Sequence, residues 1–409
     1  MTKNIRILLA GFLLLLAAAC TKDDAGVSGP PVIHRVTMLD SAKMDSAFVE
    51  AFPGTLILIT GENLKGATSV KFNNFESYFN PAYNTNTHII MTIPRDATTE
   101  ATDPDVPNQI RITTPRGEAV HGFTLNIPPP SISGIENENA FAGDSMIVHG
   151  AALWLVEKVI LPGGREITET KGNFAGDRLA FLLPDLQGDT GRITIVGKIG
   201  TAYSDGPINN HQETNVISNF TNSGEAGEQP RFNWPYWGAI RTNDPVKFPG
   251  TRGFYLEHIF GDIPHGNWNW WESNRTGQFN TVVLFTPEER NNKTEQYALK
   301  FEINTKEPWT AGVCLFRFNN LVIRWKPWDG LPGSVFHTGN KWRTVTIPLD
   351  NIRKSGPEGD GTGDVVTSMA DIVLEDGGLP FVYWLGPSDD KPITFFHAAF
   401  DNFRIVKIK

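Results

Sequence analysis

Ten of the chain's eleven tryptophans fall between Trp234 and Trp384. The ones with most chemical scope sit in turn-like sequence, "NWPYW" (233–237) and "GNWNWW" (266–271). Indoles flanked by Asn, Gly and Pro are expected to reach solvent, and a large apolar patch open to water marks an interaction site. A flat π-face with a polar rim suits the apolar C–H face of a sugar ring. Trp237, Trp270 and Trp271 are therefore the first candidates for ligand contact. Beside them, Asn267, Asn269, Glu272 and Asn274 offer hydrogen bonds to hydroxyls. Trp234 and Trp268 stand open between contact and packing, and Trp309 and Trp328, each after a proline, suit either role. Trp325, Trp342 and Trp384 lie in apolar strand-like runs and are expected in the core.

The same residues argue against catalysis. Hydrolysis of a glycosidic bond needs two carboxylates about 5–10 Å apart across it. The chain has no E-x-D-x-x-E run of the sandwich glucanases. Glu375 and Asp376 in "LEDGG" (374–378) are adjacent, so a strand would point them to opposite sides, and Glu272 has no evident acidic partner. G-x-S-x-G, H-E-x-x-H and Gly-rich phosphate loops are absent. "GDGTGD" (359–364) lacks the terminal Glu of a calcium loop and reads as a turn, which leaves a structural calcium open. The histidines His34, His88, His121 and His149 are scattered rather than set at ligand spacing, so no metal site and no cofactor are expected. Cys314 in "GVCLFRF" (312–318) reads as a small buried apolar residue.

The first residues, "MTKNIRILLAGFLLLLAAAC", carry Lys3 and Arg6, then an apolar run from Ile7 to Leu16, then three alanines before Cys20. The run is short for a membrane span and ends in small residues, as a cleaved signal peptide does. The cysteine after small residues resembles the lipobox of bacterial lipoproteins, which implies lipidation of Cys20. "KDD" (22–24) resembles the export signal that takes lipoproteins of the Bacteroidetes to the outer face of the outer membrane. Loss of residues 1–19 removes two positive charges, so the net charge goes from −9 to about −11. An acidic chain without basic runs does not suit nucleic acid.

What positions these residues is a series of short alternating runs, among them "TLILIT" (55–60), "QIRITT" (109–114) and "RTVTIPL" (343–349). They predict an all-β chain of sandwiches. The first half repeats. "GTLILITG" (54–61) answers to "GDSMIVHG" (143–150), Val70 to Val159, and "RITTPRG" (111–117) to "RITIVGK" (192–198). Two copies of about 90 residues suit Ig-like sandwiches. With "GENL" (61–64) and "VKF" (70–72), the pattern resembles the IPT/TIG family of Ig-like domains over 31–127 and 128–217. "IPPP" (127–130) is a short stiff hinge between them.

Residues 218–409 read as a larger, jelly-roll-like sandwich. "KFEINTKEPWTAG" (300–312), "IRWKPW" (323–328), "KWRTVTIPL" (341–349) and "FDNFRIV" (400–406) resemble the C-terminal domain of the SGBP-B group of surface glycan-binding proteins. That resemblance implies an aromatic platform built from one early ring and an adjacent pair a little over thirty residues on, here Trp237 with Trp270 and Trp271. It also implies an outer-membrane lipoprotein with a signal peptide (1–19) and a lipidated tether (20–30). This protein would face the cell exterior and hold a hemicellulose or β-glucan, xyloglucan-like, near a TonB-dependent importer and a surface glycanase. The alternatives are an adhesion or assembly protein whose aromatic patch docks a protein, and a sandwich enzyme of a kind not recognised.

Overall fold

A computed structural model of the chain describes residues 29–39, 46–173, 175–211, 215–220, 240–269, 275–387 and 391–408. Cys20, Trp234, Trp237, Trp270, Trp271, Glu272 and Asn274 lie outside them. The chain forms two compact units that meet in sequence at Pro129 and Pro130.

The first unit is an Ig-like sandwich. One sheet runs in the order Val32–Met38, Leu56–Glu62, His88–Thr92, and the other in the order Phe75–Glu76, Ser69–Phe72, Gln109–Thr114, Gly117–Gly122. Alternation places Ile57, Ile59, Val70, Phe72, Ile110 and Ile112 in the core between them, each fully buried.

The second copy, at the start of the other unit, repeats this design with Ser131–Ile135, Ser145–Ala151, Arg178–Leu182 and Lys171–Gly172 facing Glu166–Ile167, Val156–Ile160, Thr194–Gly197 and Thr201–Tyr203. The repeated glycines have a shared physical cause. Gly61 pairs with Ile33 and Gly150 with Ile132, in each case beside a register break in the first strand. A Cβ on Gly61 would lie 1.9 Å from the Val32 carbonyl oxygen, and one on Gly150 1.8 Å from that of Ser131. The bulged strand comes too close for any side chain.

The C-terminal sandwich has a large sheet ordered Ile240–Thr242, Tyr255–Ile263, Ile393–Lys407, Tyr297–Thr305, Arg343–Pro348, with Val216–Ser218 also paired to Ile393–Lys407. The chain thus joins this sheet before residue 218. The small sheet runs Thr276–Gln278, Val382–Gly386, Val313–Phe318, Leu321–Trp325. Rings fill the space between. Phe403 of the large sheet packs 5.0 Å from Phe301 beside it and 5.0 Å from Tyr383 of the small one. The Tyr383 hydroxyl lies 2.7 Å from Nε2 of His258, a hydrogen bond from sheet to sheet. Cys314 is fully buried in this core, and burial pushes its thiol pKa up, which suits an inert thiol. Trp309 and Trp328 are core residues, their indole N–H groups donating to the carbonyls of Ala311 (2.6 Å) and Gly312 (2.8 Å). Trp325 packs on Phe301 at this core, as its strand-like context predicted, and Trp342 is buried on Phe248 in a separate cluster with Tyr255 and Ala399.

Gly61→Ala should destabilise the first unit by about 2 kcal/mol or more, because backbone must move to admit the methyl. Gly122→Ala, where a Cβ meets nothing within 4 Å, should stay within about 0.5 kcal/mol. Thermal unfolding of the two variants checks the contrast.

Candidate functional site

The small sheet of the C-terminal sandwich shows its two faces by strict alternation. Cys314, Phe316, Phe318, Ile323, Tyr383 and Leu385 point into the core. Val313, Leu315, Val322 and Trp384 form a separate apolar cluster on the other face, with Trp268 packed against it. Arg317 and Arg324 belong to the same outward set. This face is the floor of a cleft of about 620 Å³, of a size usual for a small-molecule or oligosaccharide site.

Leu315 and Val382 form the middle of the floor, and Gln278 brings an amide to it. At one end Trp268 meets Trp384 edge to face, with centroids 5.6 Å apart and planes at 87°. Gly386 makes room for the pair. A Cβ there would lie 2.6 Å from the ring of Trp384 and 2.9 Å from that of Trp268. The turn that carries Trp268 is held by its asparagine, since Asn267 Oδ1 accepts from the backbone N–H of Asn269 at 3.2 Å.

The other end is polar. Asp360 receives an ion pair from Arg317 and a hydrogen bond from the Ser355 hydroxyl at 2.6 Å, and its carbonyl accepts from Arg324 at 2.9 Å. Gly356 and Gly359 close the loop on itself through a pair of backbone bonds of 2.9 and 3.0 Å. Gly361 sits where a Cβ would come 3.0 Å from the Arg324 side chain, so the loop lies flat on the sheet. The segment read as a turn is indeed a turn, and its Asp360 carboxylate faces the Arg317 guanidinium.

Such a cleft can stack the apolar face of a ring and bond hydroxyls at its rim. Among the described residues, its two carboxylates, Glu358 and Asp360, share one loop at one end, and Asp360 is already ion-paired. Of the predicted ligand residues, Trp268 lines the cleft. Asn267 and Asn269 lie in its turn, where the Asn267 side chain serves the backbone. Trp237, Trp270, Trp271 and Glu272 fall outside the described residues. Trp384 is buried, 8% exposed, as its apolar strand predicted, and its cluster lies on the cleft face of the sheet. Sequence reasoning missed Leu315, Arg317, Arg324, Val382 and Asp360. The available signal was the two-residue period of "VCLFRF" and "LVIRW", which sets an arginine opposite the core rings on each of two adjoining strands.

Comparison with known proteins agrees with this picture. Residues 210–407 match the family model described as the surface glycan-binding protein B xyloglucan binding domain. An IPT/TIG domain-containing protein of Bacteroides ovatus is 36% identical over 162 residues, which are 39% of this chain and 33% of the relative. The match thus spans about a third of the length of that curated relative. The crystal structure of the surface glycan-binding protein PbSGBP-B from Prevotella bryantii aligns with a TM-score of 0.59 at 18% identity, over 94% of this chain and 100% of that one. SGBP-B from a complex xyloglucan utilization locus in Bacteroides uniformis aligns at 0.48 and 20% identity, over 92% and 99%.

Fold and cleft together define the architecture: an all-β chain with Ig-like modules and a C-terminal sandwich whose small sheet carries an open cleft. More particularly, residues 210–407 are similar to the surface glycan-binding protein B xyloglucan binding domain, over a little under half of the chain.

Arg317→Met should leave stability within about 1 kcal/mol, because both partners of its ion pair are about a third exposed. Hydrogen exchange across residues 355–363 should nevertheless speed up, since the loop loses its anchor to the sheet. An unchanged exchange rate would show that the ion pair does not hold the loop.

Proposed function

We propose that the protein is a non-catalytic receptor at the cell surface that captures xyloglucan or a closely related hemicellulose or β-glucan. The observation that carries this reading is the family match over 210–407, the part of the chain that also holds the indole-walled cleft. Trp237, Trp270 and Trp271 serve as the stacking platform, with Trp268 and the cleft beside it taking further sugar. Their residue types and turn-like sequence support this assignment. Stacking contributes about 0.5–1.5 kcal/mol per ring beyond area burial. A platform of a few rings therefore gives modest affinity per site, which suits a receptor that must pass its ligand on.

Cys20 anchors the mature chain to the outer membrane through lipid. More than one acyl chain is what stable anchoring requires. The receptor then holds the polysaccharide beside a TonB-dependent importer and a surface glycanase.

Two measurements test this reading. In affinity electrophoresis the chain from Thr21 onward should be retarded by xyloglucan, and Trp270→Ala with Trp271→Ala should weaken binding about tenfold or more. Free migration of the wild type in xyloglucan, mixed-linkage glucan and galactomannan gels would refute it. Separately, Cys20→Ala should move the protein from the membrane fraction to the soluble one, and continued membrane retention would refute the anchor.

A further inference from the structure

If the second Ig-like module were only a spacer, the outward face of the large C-terminal sheet would be a solvent face. Instead Lys300, Glu302 and Arg404 are 2%, 4% and 0% exposed. Arg404 grips Glu302 with two bonds of 2.9 Å and reaches Glu138 at 2.7 Å. Lys300 bonds the same Glu138 carboxylate. Two cations balance two carboxylates, but only because Glu138 comes from the Ig-like module. Burial by itself would raise the pKa of Glu138, and Lys300 and Arg404 outweigh it and hold it below the ordinary carboxylate range. A buried cluster one charge short is strongly unfavourable.

The seam around the cluster is bonded on both sides. Thr344 donates its backbone N–H to the Glu136 carbonyl at 2.7 Å, and its hydroxyl accepts from the Glu138 N–H at 2.8 Å and donates to Glu302 at 2.9 Å. Arg252 donates to the carbonyls of Asn139 and Ala140 at 2.8 and 2.6 Å. Gly206 lies so near the sheet that a Cβ would come 2.7 Å from Val406. The sheet itself breaks register at this place, between Lys300 and Glu302, where Asn402 adopts a φ of 50°. A bulge of this kind re-aims side chains, here toward the module.

We propose that the second Ig-like module is the fixed cover of the sandwich's rear face, and that the two unfold as one cooperative unit. Glycan held on the opposite face then stabilises a module that it does not touch, because a ligand that binds only the folded state stabilises everything that unfolds with its site. The coupling follows from the seam alone, and only its ligand arm rests on the proposed glycan binding.

Calorimetry of the full mature chain without ligand should give two unfolding transitions, one for residues up to 129 and one for 130 onward. Three separate transitions would overturn the proposal. Glu138→Ala should lower the midpoint of the joint transition by several degrees or split it, and an unmoved transition would overturn the proposal. Should that variant fail to fold, Thr344→Val removes the shared hydroxyl more gently and should lower the same midpoint.

The ligand arm uses hydrogen exchange with saturating xyloglucan heptasaccharide. Slower exchange is expected in Ser145–Ala151 and Thr194–Gly197 as well as in Tyr297–Thr305, with Gln109–Thr114 unchanged. Protection confined to the C-terminal strands would overturn the coupling. Absence of protection everywhere would count against glycan binding instead, and calorimetry would then decide the coupling alone.

Discussion

The two-residue period of a β-strand is the constraint from which the C-terminal domain follows. Each strand of its two sheets has one side committed to the aromatic core, where Phe301, Phe316, Tyr383, Phe400 and Phe403 are fully buried. That commitment fixes what the other sides carry. On the small sheet they are Leu315, Val382, Trp384, Arg317 and Arg324, which make an open cleft. On the large sheet they include Lys300, Glu302 and Arg404, which meet Glu138 of the neighbouring module. One face is left open as a cleft and the other receives a domain.

The division also decides where several charged groups go. Among the described residues, buried and half-exposed charges alike are spent in pairs. Glu138 and Glu302 are neutralised by Lys300 and Arg404, and Asp360 by Arg317. Among the described residues, no second carboxylate faces Asp360 across the floor of the cleft. What remains there is an indole wall, an apolar floor and a rim of amide and charged groups, a surface that can stack a ring and bond its hydroxyls.

Much of the fold was legible because its signals are local. The repeat in the first half rested on Gly61 and Gly150, and both prove to be places where a side chain would collide with the bulged neighbouring strand. Cys314 and Trp342 lie in apolar runs and are buried. The site was legible only in part. Trp384 reads as core because its strand is apolar throughout, and only the pairing of sheets shows that its side of the strand is the cleft. The junction was not legible at all. Glu138 is an ordinary acidic residue in sequence, and its partners lie more than 160 positions away. Charge pairs of that separation leave no mark on local pattern.

The most direct test of the central claim is a crystal structure of the mature chain with a xyloglucan oligosaccharide bound. The account predicts sugar rings on the outward face of the small sheet, against Trp268, with a branch or backbone unit entering the cleft between Trp384 and Arg324. Sugar ordered at any other surface of the chain, with that face empty, would contradict it.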